Sequence, residues 1–96
     1  DFNKANGSSY IGIINTTYER LVQAFGEPHI HGGDKTTAEW ILEFDDGTVA
    51  TIYDWKEATT PEYEYDWHIG GFDILARIRV SEALQALDFE EDLAIA

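Results

Sequence analysis

Three observations predict an α+β two-layer sandwich with a three- to four-stranded antiparallel sheet and two helices on one face. β-rich runs are grouped in the middle of the chain, one hairpin is marked by an Asp-Gly dipeptide, and two amphipathic stripes flank the strands. The expected order is β-α-β-β-β-α. Residues 1–9 form a polar, flexible arm, 10–87 a single domain, and 88–96 an acidic tail.

Tyr10 to Ile14 is a short apolar run suited to an edge strand. Thr16-Thr17-Tyr18-Glu19 fits a capping box, with the Thr16 hydroxyl and the Glu19 carboxylate satisfying the first free amides of a helix. Tyr18, Leu21, Val22 and Phe25 follow at i, i+3, i+4 and i+7, a single apolar stripe. Gly26 stands where a left-handed cap is expected, and Pro28 forbids continuation. His29 to Lys35 reads as a loop.

TTAEWILEFD and TVATIYDW then form the hairpin, joined by Asp46-Gly47. That dipeptide is the strongest short signal for a two-residue type I′ turn. With Asp45 opposite Thr48, one face carries Ala38, Trp40, Leu42 and Phe44 against Trp55, Tyr53, Thr51 and Val49, and is the expected core. The other carries Glu39, Ile41, Glu43 and Asp45 against Asp54, Ile52, Ala50 and Thr48, setting Glu39 and Asp54 as like charges directly opposite. After an acidic connection containing Pro61, Tyr65 to Ile69 is the next strand, broken by Gly70-Gly71. Ile74, Leu75, Ile78, Leu84 and Leu87 mark a second helix from Phe72 or Asp73 to Leu87. The tail frays or docks through Phe89, Leu93 and Ile95.

Ninety-six residues suffice for one modest core. Nineteen acidic against six basic residues give a net charge of -13. Such a chain is repelled by phosphate backbones and anionic membranes, which argues against direct nucleic-acid or membrane binding and suits a basic partner or a mimic of a polyanion. There is no cysteine, hence no disulfide or thiol chemistry. No run reaches the roughly 18 apolar residues of a membrane span, and the N-terminus lacks a signal-peptide core, so a cytoplasmic location is expected.

Trp67-His68-Ile69-Gly70-Gly71 is the leading site candidate. Two glycines between a strand end and a helix start present free amides for an anion. His68 and Lys56 add donors, and Trp55, Tyr65 and Trp67 add flat surfaces for a base or another planar group. Arg77 and Arg79 could assist across a subunit boundary. A simple turn with a strand histidine is the competing reading.

His29 and His31 with Glu27 and Asp34 form too sparse a set for zinc. Glu39, Glu43 and Asp54 on one hairpin face suit a cation or a carboxylate pair less well than a solvated surface relieved by Lys56. Ser8, Ser9 and Ser81 lack an elbow motif or paired His and Asp, so no enzyme, cofactor or metal is expected. Between Glu39 and Asp66 lie nine carboxylates and one lysine. Glu57, Glu62, Glu64 and Asp66 in that stretch could imitate spaced phosphates for the nucleic-acid groove of another protein.

INTTYERLVQAFGEP (Ile14 to Pro28), AEWILEFDDGTVATIYDWK (Ala38 to Lys56) and WHIGG (Trp67 to Gly71) together resemble a group of small proteins encoded by phages and mobile elements. The resemblance covers about residues 10–75. The group has no established activity, so no catalytic residue is carried over. It implies an accessory protein that blunts host defence by binding something. The expected function is therefore non-enzymatic neutralisation of a host factor, through a nucleotide-like ligand held at Trp55, Lys56, Tyr65, Trp67, His68, Gly70 and Gly71. The alternative is acidic mimicry. An exposed Ile41/Ile52 pair on the sheet would favour a homo-oligomer.

Overall fold

The computed structural model describes residues 2–95, with side chains over 4–89. After a 3-10 turn, Phe2–Ala5, come β1 (Ser9–Thr16), α1 (Tyr18–Phe25), β2 (Ile30–His31), β3 (Ala38–Glu43), β4 (Val49–Tyr53), β5 (Tyr65–Gly71) and α2 (Leu75–Ile95). The strands form one antiparallel sheet in the order β1-β5-β4-β3-β2. The fold is the expected α+β sandwich. It has five strands rather than three to four because Ile30–His31, expected to lie in a loop, pairs with β3.

The hairpin register differs by one residue from the expected one. Phe44 N–H donates to the Thr48 carbonyl at 2.8 Å and Gly47 N–H to the Phe44 carbonyl at 2.9 Å, leaving Asp45, Asp46 and Gly47 in the loop. Gly47 has φ 87° and Asp46 has no positive φ, which excludes type I′ and matches a three-residue loop ending in a left-handed glycine. The Asp46 carboxylate accepts from Thr48 N–H at 2.9 Å and from Arg79, which together hold its pKa down at about 2. Trp40 therefore faces Ile52, and Glu39 faces Tyr53 rather than Asp54.

A shift of one residue moves every β4 side chain to the other face. Ala50, Ile52 and Asp54 turn inward with Ala38 and Trp40, and all five are buried. Thr51 and Tyr53 turn outward with Glu39 and Ile41. The Ile41/Ile52 surface pair does not exist, and with it goes that argument for an oligomer.

Both helices cover the inward face. Leu21 of α1 and Ala76, Val80 and Leu84 of α2 join Trp40, Ile52, Trp67 and Ile69 in one buried cluster. Trp40 and Trp67 meet edge to face, 5.5 Å between centroids, and Tyr18 packs on both. Each indole N–H is satisfied by backbone: Trp40 donates to the Gly26 carbonyl at 2.8 Å, Trp67 to the Thr16 carbonyl at 3.2 Å. These bonds pin the ends of α1 to the sheet.

The cap of α1 is Thr17, whose hydroxyl accepts from Arg20 N–H; Thr16 belongs to β1. At the other end Gly26 caps the helix and donates to the Val22 carbonyl, with φ 82° but ψ -171°, outside the left-handed helical conformation expected. α2 starts two residues later than the latest expected start, and it continues beyond Leu87 through the acidic segment. Phe89 is largely exposed, and the side chains of Leu93 and Ile95 lie outside the described residues.

The glycine doublet does not break β5, which runs through Gly71 with β1 on one side and β4 on the other. A Cβ on Gly71 would lie 2.4 Å from the Ala76 Cβ, so this glycine lets α2 close on the sheet. Gly71→Ala is expected to cost about 1–3 kcal/mol through overpacking. Chemical denaturation should show that loss, and the double variant with Ala76→Gly should recover part of it.

Candidate functional site

The outward face of the sheet carries neither α-helix; the 3-10 turn Phe2–Ala5 lies against β4 there. Tyr10 of β1, Tyr53 of β4 and His68 of β5 converge there, with Trp55 just beyond β4. Tyr53 stacks on His68 at 5.4 Å and 24°, Tyr10 meets His68 at 5.4 Å, and Trp55 lies 6.3 Å from both Tyr53 and His68. These four rings line a cavity of about 300 Å³. A second cavity of about 500 Å³ continues across Thr51, Gly70, Ile41 and Glu39, bounded by Ala5 to Tyr10 of the N-terminal segment. Gly70 keeps its floor low, because a Cβ there would come within 2.4 Å of Thr51 Oγ1.

Polar groups in this groove are poorly satisfied. His68 Nδ1 is buried with no hydrogen-bond partner among the described residues, and an orphaned ring nitrogen is uncommon enough to require a reason. Burial raises the pKa of the half-buried Glu39 carboxyl. The Tyr53 phenol is raised by burial, and further by Glu39 and Tyr10.

Two cations stand beside Trp55 without lining either cavity. Lys35 Nζ lies 5.7 Å and Lys56 Nζ 5.8 Å from the centre of the Trp55 ring. Lys56 N–H donates to the Lys35 carbonyl at 2.7 Å, and Lys56 adopts φ 56°, the single non-glycine with positive φ among the described residues. A side chain held in that sparsely populated region requires support from its surroundings.

Asp54 is part of that support. Fully buried, its carboxylate accepts from Thr37 N–H at 2.7 Å, Ala38 N–H at 3.3 Å and the Thr37 hydroxyl. Since the single Thr37 proton goes to Asp54, the Thr60 hydroxyl must be the donor in the Thr37–Thr60 contact. One carboxylate thus ties the 35–37 segment and the loop after Lys56 to the end of β4.

Of the residues expected at a ligand site, Trp55, Lys56, His68 and Gly70 are brought together on this face. Trp67 is in the core on the opposite face. Tyr65 packs against Trp67, its hydroxyl donating to Glu57 and accepting from Trp55 N–H, while Gly71 lies under α2. The anion cradle expected at the start of α2 is already filled: Asp73 accepts from Leu75 N–H through its carboxylate and from Ala76 N–H through its carbonyl. Arg77 donates to the Ile13 carbonyl, and Arg79 pairs with Asp46 and Glu82.

Sequence reasoning missed Tyr10, Tyr53 and Glu39 as site residues. For Tyr53 alone the signal was available, in the alternation of β4 once the turn is given its third residue. Glu57, Glu62 and Glu64 are exposed around a surface cavity of the 57–65 loop, and Asp66 accepts from the Asn15 amide. Glu39 and Glu43 share the outward face, where Glu43 pairs with Lys4, and Asp54 is on the other side. The His29 Nδ1 atom accepts from Ile41 N–H. Among the described residues no three acidic or histidine side chains are placed to hold a metal, and no helix is long and apolar enough to cross a membrane.

No family model, curated protein or solved structure matches this chain.

Proposed function

We propose that this chain is a binding protein that holds a planar, anionic, nucleotide-like ligand in the groove on the outward face of its sheet. The observation that carries the reading is His68 Nδ1, buried and without a hydrogen-bond partner among the described residues, beneath a wall of Tyr10, Tyr53 and Trp55. Flat rings offer stacking to a base, worth about 1–3 kcal/mol per stacked base. Lys35 and Lys56 beside Trp55 suit the ligand's charge, and the orphaned nitrogen gains a partner where the rings over it part to admit one.

Such a site sequesters a ligand rather than transforming it. In a small acidic protein resembling phage accessory factors, withdrawal of a nucleotide-like signal is the way a host factor would be neutralised. Acidic mimicry draws on the exposed Glu57, Glu62, Glu64 and Asp66 instead, and is independent of His68.

Titration calorimetry with the four ribonucleoside monophosphates tests the reading. At least one is expected to bind, and Trp55→Ala and His68→Ala are each expected to weaken that binding by about tenfold or more. Trp55 is 40% exposed, so its removal should leave thermal melting near that of the parent. Unchanged affinity in both variants would sink the site.

A further inference from the structure

The groove contains a second group that invites a partner. Glu39 sits on the wall of the larger cavity with Tyr53 and Trp55, directly across from Tyr53 in the sheet. Its carboxylate makes no hydrogen bond or ion pair among the described residues, although it is half-buried. The cations that might have neutralised it are used elsewhere: Lys4 on Glu43, Arg20 on Asp88, Arg79 on Asp46 and Glu82, and Arg77 on the Ile13 carbonyl. Lys35 and Lys56, two of only six basic residues in a chain of net charge -13, form no ion pair among the described residues and stand beside Trp55.

A ligand that fits must therefore offer hydrogen-bond donors at one end and negative charge at the other. Among the common bases, guanine alone turns two adjacent donors, its ring N1–H and its exocyclic amine, toward one partner. Those two match the two oxygens of a carboxylate. Adenine and cytosine each set a ring acceptor beside their amine, and uracil flanks its one ring N–H with two carbonyls. For these three Glu39 would face a lone pair, a repulsive element that separates ligands as effectively as an attractive one. The charge of the whole chain disfavours a nucleic-acid strand and leaves a free nucleotide, whose few charges two lysines can offset.

From this arrangement we infer that the groove selects a guanine nucleotide, with Glu39 reading the donor edge of the base and Lys35 and Lys56 holding the phosphate. The inference rests on the ligand-binding reading above and adds Glu39 as its specificity-determining residue.

Calorimetry on the full chain with GMP, IMP and AMP tests it. IMP lacks the exocyclic amine and keeps N1–H, so the three ligands probe the edge without altering the protein. GMP is expected to bind most tightly, IMP less so, and AMP about tenfold or more weaker than GMP. Glu39→Gln should bring the GMP-to-AMP ratio close to one. A ratio near one in the parent, or the same ratio in Glu39→Gln, would overturn the assignment. If GMP and AMP bind equally and Trp55→Ala abolishes both, the groove stands and the guanine selection falls. If no nucleotide binds, both fall together.

Discussion

Replacing Trp67 by Ala is expected to lower the stability of this fold by about 3–5 kcal/mol. The ring is completely buried, packs against Trp40, Tyr18 and Tyr65, and donates to the Thr16 carbonyl. Truncation opens a cavity at the centre of the core and strands that carbonyl beside it. Native domains hold only about 5–15 kcal/mol in total, so the loss removes about a fifth or more of it. Urea titration followed by circular dichroism measures it directly. Trp67→Phe refills most of the volume and should recover a large part of the loss. A Trp67→Ala protein that melts like the parent would contradict the packing described.

The second large effect is expected at Asp54. Its removal by Asp54→Ala leaves Thr37 N–H and Ala38 N–H without an acceptor in a buried setting. Each stranded donor costs about 1–3 kcal/mol, so a loss of roughly 3 kcal/mol is expected. Asp54→Asn keeps one acceptor oxygen for the two amides, and the Thr37 hydroxyl can turn to accept from the new amide group. It should be clearly milder. Hydrogen exchange distinguishes a local from a global effect: the amides of Thr37, Ala38 and Lys56 are expected to exchange faster in Asp54→Ala, while those of β1 and β5 are less affected. Equal exchange across the sheet would mean that Asp54 supports the whole fold and not the loop pair.

Much of the fold was legible because local chemistry and global packing agree. The apolar stripe of α1, its glycine cap, and the β-rich runs around Asp46-Gly47 all lead to the observed elements. The failures have one physical source each. An Asp-Gly pair serves both a two-residue loop and the last two places of a three-residue loop, and sequence alone does not separate them. The choice mattered because period-two alternation turns a single slip into an exchange of faces. Ile52 went to the surface and Tyr53 into the core on paper, and the reverse is found.

The candidate site suffered the same way. Trp55, Lys56, His68 and Gly70 could be found from their sequence neighbourhood, since aromatic, cationic and glycine residues near a strand end are suggestive in any register. Tyr10 and Glu39 could not, because they reach the groove only through pairings across the sheet. Trp67 and Tyr65 were placed at the site by proximity in sequence to His68, and alternation along β5 puts both on the other face. The glycine doublet was read as punctuation. Its two members instead solve two different close approaches, Gly70 to Thr51 and Gly71 to Ala76.

The order of strands in the sheet has a consequence for how the molecule is made. β1 precedes the other described strands in the chain, yet among the described residues its one neighbour in the sheet is β5, with Ser9 paired to Gly71 and Thr16 to Tyr65. Until residues 65–71 have been synthesised, β1 lacks the strand it pairs with here. Closing so long a loop is entropically costly before any contact rewards it, which places this chain among slower-folding small domains. Tyr10 arrives with β1, so the wall of rings is completed only at that closure. A nascent or truncated chain lacking β5 has no groove at all, and whatever the groove holds can favour only the finished fold.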